Sequence, residues 1–331
     1  MNAHHSQSPS ISLRYLAAGE PVAEPTSAFM AIAPADTPAT GIKSPLTILP
    51  TPSLGPGPVV ELWSAATTVF RLKESDLVAS TAGDLLLGAA LADPAEELSD
   101  ATRRIYTRIF EVVRSAATPH LVRLWNYFPR INVVESIERY QRFCVARFDA
   151  FQAAGYEMST DLPAASAVGS DSGALTVVFL ASSQKPQYLE NPRQLSAFKY
   201  PERYGPRSPS FSRGAILPDA RTLLVSGTAS IVGHETVHHG DLQAQVEETL
   251  HNIDAVIAEA FGEGTSLRSQ GFETLLKVYV RRASDQPRIA ERLEQILPAE
   301  SISYLHADIC RADLLVEIEA FIRRCERREA R

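Results

Sequence analysis

The sequence has little cysteine: Cys144, Cys310 and Cys325 are the three in 331 residues, far apart and without a CxxC pair. That spacing excludes a disulfide framework and a thiolate-built structural zinc site. A positive excess is missing too. With a net charge of −7 the chain carries no electrostatic footprint for nucleic acid and none for an anionic membrane. An anionic ligand would have to be held by a local arginine cluster. No apolar run reaches the roughly 18 residues of a membrane helix. The N-terminus shows no basic-then-apolar leader, so the expected location is the cytoplasm.

What is present is the composition of a soluble globular protein, 45% hydrophobic and 21% charged. The length suits two domains of ordinary size. Residues 1–56 are Pro-rich, with many Ala, Ser and Thr, and are expected to form an extended covering segment, not a helical or sheet core.

An internal repeat organises the rest. Strand-like 83–91, helical 101–116, strand-like 121–128, helical 136–154 and strand-like 174–182 are followed by the same order at 221–233, 243–261, 274–282, 287–297 and 314–322. In the stretch 243–261, Val246, Leu250, Ile253, Val256 and Ile257 recur every three or four residues, marking one buried helical face. The pattern predicts an α+β protein of two domains of one type, 57–182 and 221–331, joined by a linker over 183–220. Each is expected to be a mixed sheet with helices on one face.

The most conspicuous motif is GHETVHHGD, 233–241, in which His234, Glu235 and His238 spell HExxH. A zinc site would need both histidines one turn apart on a single helical face. Upstream, LLVSGTASIV is β-branched and Gly-punctuated, and Asp241 suits the N-cap of the next helix. The match therefore falls in a strand-to-helix loop and reads as a solvated polar loop. No metal is expected.

Two other stretches are richer than packing needs. The linker YLENPRQLSAFKYPERYGPRSPSFSRG, 188–214, sets Tyr188, Tyr200 and Tyr204 among Arg193, Arg203, Arg207 and Arg213. Guanidinium and phenol groups on a proline-stiffened loop suit a small planar anion. In HADICRADLLVEIEAFI, 306–322, Glu317 and Glu319 share one face of a predicted strand. If that face lines a cleft, Glu317 is a partly desolvated carboxyl suited to general-acid work.

These residues carry a resemblance. LLVSGTASIVGHE, LLKVYVRR and the closing VEIEA are similar to the RidA/YjgF-like fold, and NPRQLSAFKYPERYGPRSPSFSR followed by LLVSGTASIVGHE resembles the chorismatase family, from about residue 57 onward. The resemblance implies two RidA-like (chorismate-mutase-like) domains in tandem and removal of pyruvate from chorismate. Glu317 matches the carboxyl that protonates the enolpyruvyl methylene carbon. Tyr204 and Arg207 match substrate-binding positions, Arg207 on a carboxylate, with Tyr200 beside them.

Cys310 matches a position where enzymes releasing aromatic hydroxybenzoate carry Cys. Ala229 is the residue of the relatives that release a non-aromatic diene acid. The mixture best resembles the type that forms both 3- and 4-hydroxybenzoate, for pigment and quinone synthesis. The RidA-like carboxylate arginine is not kept; Tyr304 stands there in the second half and Ala165 in the first. The first half is therefore expected to be a scaffold, and Arg147 is the candidate second carboxylate contact.

The vinyl ether is acid-labile, so no cofactor is implied. A monomer is favoured, since two repeats can complete one another, with a trimer as the alternative. A RidA-like imine deaminase and a non-catalytic binder of small acids are the competing readings.

Overall fold

The structure, a computed structural model, describes residues 11–17, 20, 28–37, 45–56, 59–65, 67–74 and 76–325. No helix among them is long and apolar enough to cross a membrane.

The N-terminal region departs from expectation. Strands β1 (Ile11–Ala17), β2 (Ala28–Ala33) and β3 (Leu46–Ile48) join β5 (Val59–Ala65) in a four-stranded sheet of order β1-β5-β2-β3. Short β4 (Ser53–Leu54) pairs elsewhere. The reason is burial: Phe29, Met30, Ile32 and Trp63 enter the largest hydrophobic cluster together with residues of both repeats. Burying each such side chain contributes roughly 1.5–3 kcal/mol, which outweighs a composition that is poor for strands.

The duplication is present. The first repeat runs β6 (Val69–Lys73), β7 (Leu77–Ala82), β8 (Leu85–Leu91), α1 (Leu98–Ser115), β9 (His120–Pro129), α2 (Arg139–Ala153), β10 (Ala164–Ser170) and β11 (Thr176–Ser182). The second begins inside the expected linker, with β12 (Gln187–Leu189) and β13 (Gly214–Ile216), and the Tyr/Arg-rich stretch is an excursion between them. It continues with β14 (Thr222–Thr228), a small hairpin of β15 (Ile231–Val232) and β16 (Glu235–Thr236), α3 (Leu242–Phe261), β17 (Phe272–Val280) and α4 (Gln286–Leu293). Then come β18 (Ile302–His306), β19 (Asp308–Ile309) and the closing β20 (Val316–Arg324).

The two sheets have matching orders, β10-β9-β11-β8-β7-β6 and β18-β17-β20-β14-β13-β12. In each, one pair is parallel, β9 with β10 and β17 with β18. Each sheet is extended by a borrowed strand: β19 adds to β10 of the first, and β4 adds to β18 of the second.

Period-2 alternation assigns the faces. Val177 and Phe179 of β11 pack under α1 and α2, whereas Val178 and Leu180 point into the central cluster. Val316, Ile318 and Ala320 of β20 likewise pack under α3 and α4, which leaves Glu317 and Glu319 on the side facing the first repeat. Asp241 caps α3, its carboxylate accepting from the Ala244 N–H at 3.1 Å. The fold class is α+β, two tandem domains of one topology, each with its helices on one face.

Candidate active site

A cavity of about 730 Å³ opens where the second sheet meets α2 of the first repeat. Its floor is Glu317 on β20, with Gly227 and Ala229 from the end of β14. Cys310 and Arg311, from the turn between β19 and β20, form one wall. The excursion supplies Tyr200, Tyr204 and Arg213, and the start of α2 supplies Tyr140 and Gln141. The first repeat, expected to be a scaffold apart from Arg147, contributes wall residues as well. A smaller chamber of about 40 Å³ lies behind Glu317, lined among others by Ser166, Arg147, Tyr140 and Cys310.

Glu317 is buried, at 4% exposure. Burial, reinforced by the negative charge of Glu319, pushes its carboxyl up to about 8, against the pull of Arg123, Arg213 and Arg281. At neutral pH it holds its proton. Its place depends on a neighbour with no side chain: a Cβ at Gly227 would overlap the carboxyl, 2.7 Å from Glu317 Cδ and 3.0 Å from Ser166 Oγ. Glu319 behaves in the opposite way. Burial raises its carboxyl, but Arg123 and Lys277, with hydrogen bonds from Ser166 and Trp125, bring it below the usual range. Two carboxyls on one strand face are thereby split into an acid and a carboxylate, the separation that acid chemistry at neutral pH requires.

Two cations in the wall carry no ion pair to a described residue. Arg213 is buried and donates to the Tyr200 hydroxyl at 2.8 Å and the Leu195 carbonyl at 3.0 Å. The guanidinium of Arg311 lies over the rings of Tyr204 at 4.4 Å and Tyr200 at 5.4 Å, and donates to Thr236 Oγ1 at 3.2 Å. Arg203 at the mouth is already paired with Glu235 at 2.8 Å. Burial pushes the Cys310 thiol up to about 12, so it is present as the thiol, not as a thiolate nucleophile.

Of the candidates from the sequence, Glu317, Cys310, Tyr200, Tyr204 and Ala229 line the cavity together. Arg207 does not: it is exposed, with its guanidinium over Phe148 at 4.5 Å. The loop carries four arginines, and only the fold decides which of them turns inward. Tyr304 lies in the helix-side core of the second repeat, not in the cavity. Arg147 lines the inner chamber, donates to the Tyr106 hydroxyl at 2.8 Å and to the Ser210 carbonyl, and keeps Nη2 without a partner.

Sequence reasoning missed Arg311, whose only signal was its place beside Cys310. Of His234, Glu235 and His238, only Glu235 lines the cavity. Glu235 is in the hairpin, His234 Nδ1 lies 3.0 Å from Arg203 Nη2, and His238 occupies a left-handed turn at φ 59°. The two histidines share no helical face.

Comparison with known proteins gives the chain its family. A family described as "Chorismatase FkbO/Hyg5-like, N-terminal" matches residues 61–181. A chorismatase of Streptomyces rapamycinicus is 41% identical over 250 residues, 72% of this chain and 75% of that protein. A 3-hydroxybenzoate synthase of Streptomyces hygroscopicus is 36% identical over 284 residues, 80% and 82% of the two chains. A crystal structure of a chorismatase matches with a TM-score of 0.86 at 33% identity, covering 95% of this chain and 98% of that one. A chain so similar over most of its length to proteins of one kind, and folded as they are, belongs to the chorismatase family.

Proposed function

We propose that the protein removes pyruvate from chorismate and releases 3- and 4-hydroxybenzoate, with Glu317 as the general acid. The observation that carries this reading is a buried carboxyl on the floor of a cavity whose wall holds two arginines without carboxylate partners among the described residues, with burial pushing that carboxyl up. Chorismate is a dianion. Arg311 and Arg213 are placed to take its two carboxylates, where planar guanidinium groups bind in bidentate fashion, and Tyr200 and Tyr204 orient the ring. Arg147, with its free Nη2 in the inner chamber, is a further donor to the ring side.

Glu317 gives its proton to the methylene carbon of the enolpyruvyl group. The vinyl π electrons form the new C–H bond, and the ether oxygen stabilises the resulting oxocarbenium ion. Two routes then release pyruvate. In one, the bond between the ring carbon and the ether oxygen breaks, its electron pair going to that oxygen, which becomes the keto oxygen of the departing pyruvate. In the other, the neighbouring ring hydroxyl adds to the oxocarbenium carbon and its own bond to the ring breaks. Its oxygen then leaves as the keto oxygen of pyruvate, and the ether oxygen stays on the ring as the hydroxyl. Loss of a ring proton returns the acid and makes the ring aromatic. The atoms of chorismate equal those of pyruvate plus a hydroxybenzoate, so no net water is consumed. The Cys310 thiol, at the cavity wall, guides the proton movements that decide where the hydroxyl ends. This chemistry needs a positioned acid and charge neutralisation, which the cavity residues provide.

The test is to incubate metal-stripped protein with chorismate, assay pyruvate and resolve the products by chromatography. Pyruvate with both hydroxybenzoates is the expected result. A diene acid instead would keep the substrate and overturn the product assignment; ammonia release from imines with no pyruvate would favour the deaminase reading. Cys310→Ala is expected to change the ratio of the two hydroxybenzoates more than the rate, and an unchanged ratio would remove its role.

A further inference from the structure

Between the two repeats and the N-terminal sheet lies a buried charge cluster that does not line the cavity. Its centre is Glu319, at 5% exposure. It accepts from the Trp125 indole N–H at 2.7 Å and from the Tyr279 hydroxyl at 3.0 Å. Arg123 lies 3.1 Å away and Lys277 Nζ 3.8 Å. Lys277 in turn pairs with Glu61 of β5 at 2.8 Å. Arg123 also donates to Ser166 Oγ, which accepts the Gly227 N–H at 3.0 Å. The cluster therefore reaches the strand end against which Glu317 rests. Burying such groups is costly unless each is paired, and packing alone would be served as well by apolar residues.

We propose that Glu319 is a positioning residue for the reaction: a clamped carboxylate, two residues along β20 from Glu317 and on the same face, that keeps Glu317 in its proton-carrying form. The proposal rests on the reading of Glu317 as the acid. Arg123 and Lys277 are ion-paired with Glu319 and Glu61, and the pull that Arg123 still exerts on Glu317 is outweighed by burial and by the charge of Glu319. Two carboxyls this close in a low-dielectric site do not both ionise readily. The one held by cations takes the charge, and the other keeps the proton.

Of the remaining charged and titratable groups facing Glu317, Arg213, Arg311 and Arg147 have no carboxylate partner among the described residues and are kept for the substrate. The others are committed elsewhere or neutral. Arg281 is bound to Asp308 and to the carbonyls of Leu314, Ile309 and Arg311. Arg213 is held by Tyr200 and Leu195. Cys310 and Tyr140 are pushed up by burial and stay neutral, as does Tyr279, its partner in the β17–β20 ladder. Facing Glu319, Tyr127 and Tyr15 are raised by burial as well. Glu61 arrives from the N-terminal sheet, which makes that sheet part of the arrangement.

The test is the pH profile of pyruvate release. In the wild type kcat/KM should fall as pH rises through about 8, where Glu317 loses its proton. In Glu319→Gln, Arg123 and Lys277 become available to stabilise an ionised Glu317, and the alkaline limb should move down by about one unit or more. At pH 8 that is a loss of about fivefold or more, approaching tenfold above pH ~9 and recovered below pH ~6. Glu319→Asp, which keeps the charge, should leave the limb near its wild-type place.

An equal loss at every pH, or an unmoved limb in Glu319→Gln, would overturn the proposal. If that variant does not fold, ¹³C-carboxyl NMR of glutamate-labelled wild type decides. The resonance missing from Glu317→Gln should titrate near 8 while Glu319 stays ionised through neutral pH, and a protonated Glu319 at pH 7 overturns the inference. Full activity in Glu317→Gln would instead sink the acid assignment itself, so the two failures are distinguishable.

Discussion

In both repeats a glycine on the strand before the long helix lets the closing strand come near, but to different ends. A Cβ at Gly88 would meet the Phe179 ring, 2.7 Å from Cε1, and that ring belongs to the helix-side core. A Cβ at Gly227 would overlap the Glu317 carboxyl on the opposite face, toward the cavity. The inward residues of the first closing strand include Val178 and Leu180; those of the second include Glu317 and Glu319 beside Phe321. One backbone device thus serves packing in one repeat and makes room for a cavity carboxyl in the other. A sheet packed on its helices has its stability secured on that face, and the other face is free to carry polar groups once cations and indoles satisfy them.

The largest expected effect comes from removing the acid. Glu317→Gln should lower kcat by about 10²–10⁴ with an unchanged circular dichroism spectrum; a variant at near-normal rate would dissolve the contrast between the repeats. Next come the paired glycine variants. Gly227→Ala must displace the carboxyl, and a shift of about 1 Å costs on the order of 10² in rate. Gly88→Ala should cost about 1–3 kcal/mol of stability through overpacking and leave the rate of the folded protein nearly unchanged. Equal kinetic losses in the two would erase the difference, and thermal melts beside steady-state rates read both.

A smaller effect, mainly on KM, is expected for Arg311→Met. Losing a charge-assisted contact of about 1.5–3 kcal/mol raises KM by roughly 10–100-fold, and a kcat-only change would argue against carboxylate binding. Smallest of all is Arg207→Ala, which should alter kcat/KM by no more than about twofold, because an exposed side chain over Phe148 touches nothing in the cavity.

The repeat was legible because its long elements carry strong periodicity: the buried stripe Val246, Leu250, Ile253, Val256 and Ile257 lies on α3 as read. Strand β10, AASAVGS, was not legible, since its small residues have weak strand preference and its parallel partnership with β9 is non-local. The N-terminal sheet was hidden for a related reason. Its strands are separated by proline-rich stretches and gain their burial only from β5 and the repeats. Within the site, Glu317 stood out as a carboxyl in an apolar run, whereas Arg311 and Arg207 are indistinguishable as letters.

The amino-acid sequence by itself determined the long periodic elements, the duplication and the presence of two carboxyls on one strand face, because these follow from spacing along a single chain. Only the tertiary structure decided which arginines face the cavity, that Glu61 of a distant strand completes the cluster around Glu319, and that burial raises one carboxyl while cations lower the other. Those outcomes depend on desolvation and on Coulomb interactions with groups brought near from other strands. Both are set by distance in space, which spacing along the chain does not encode.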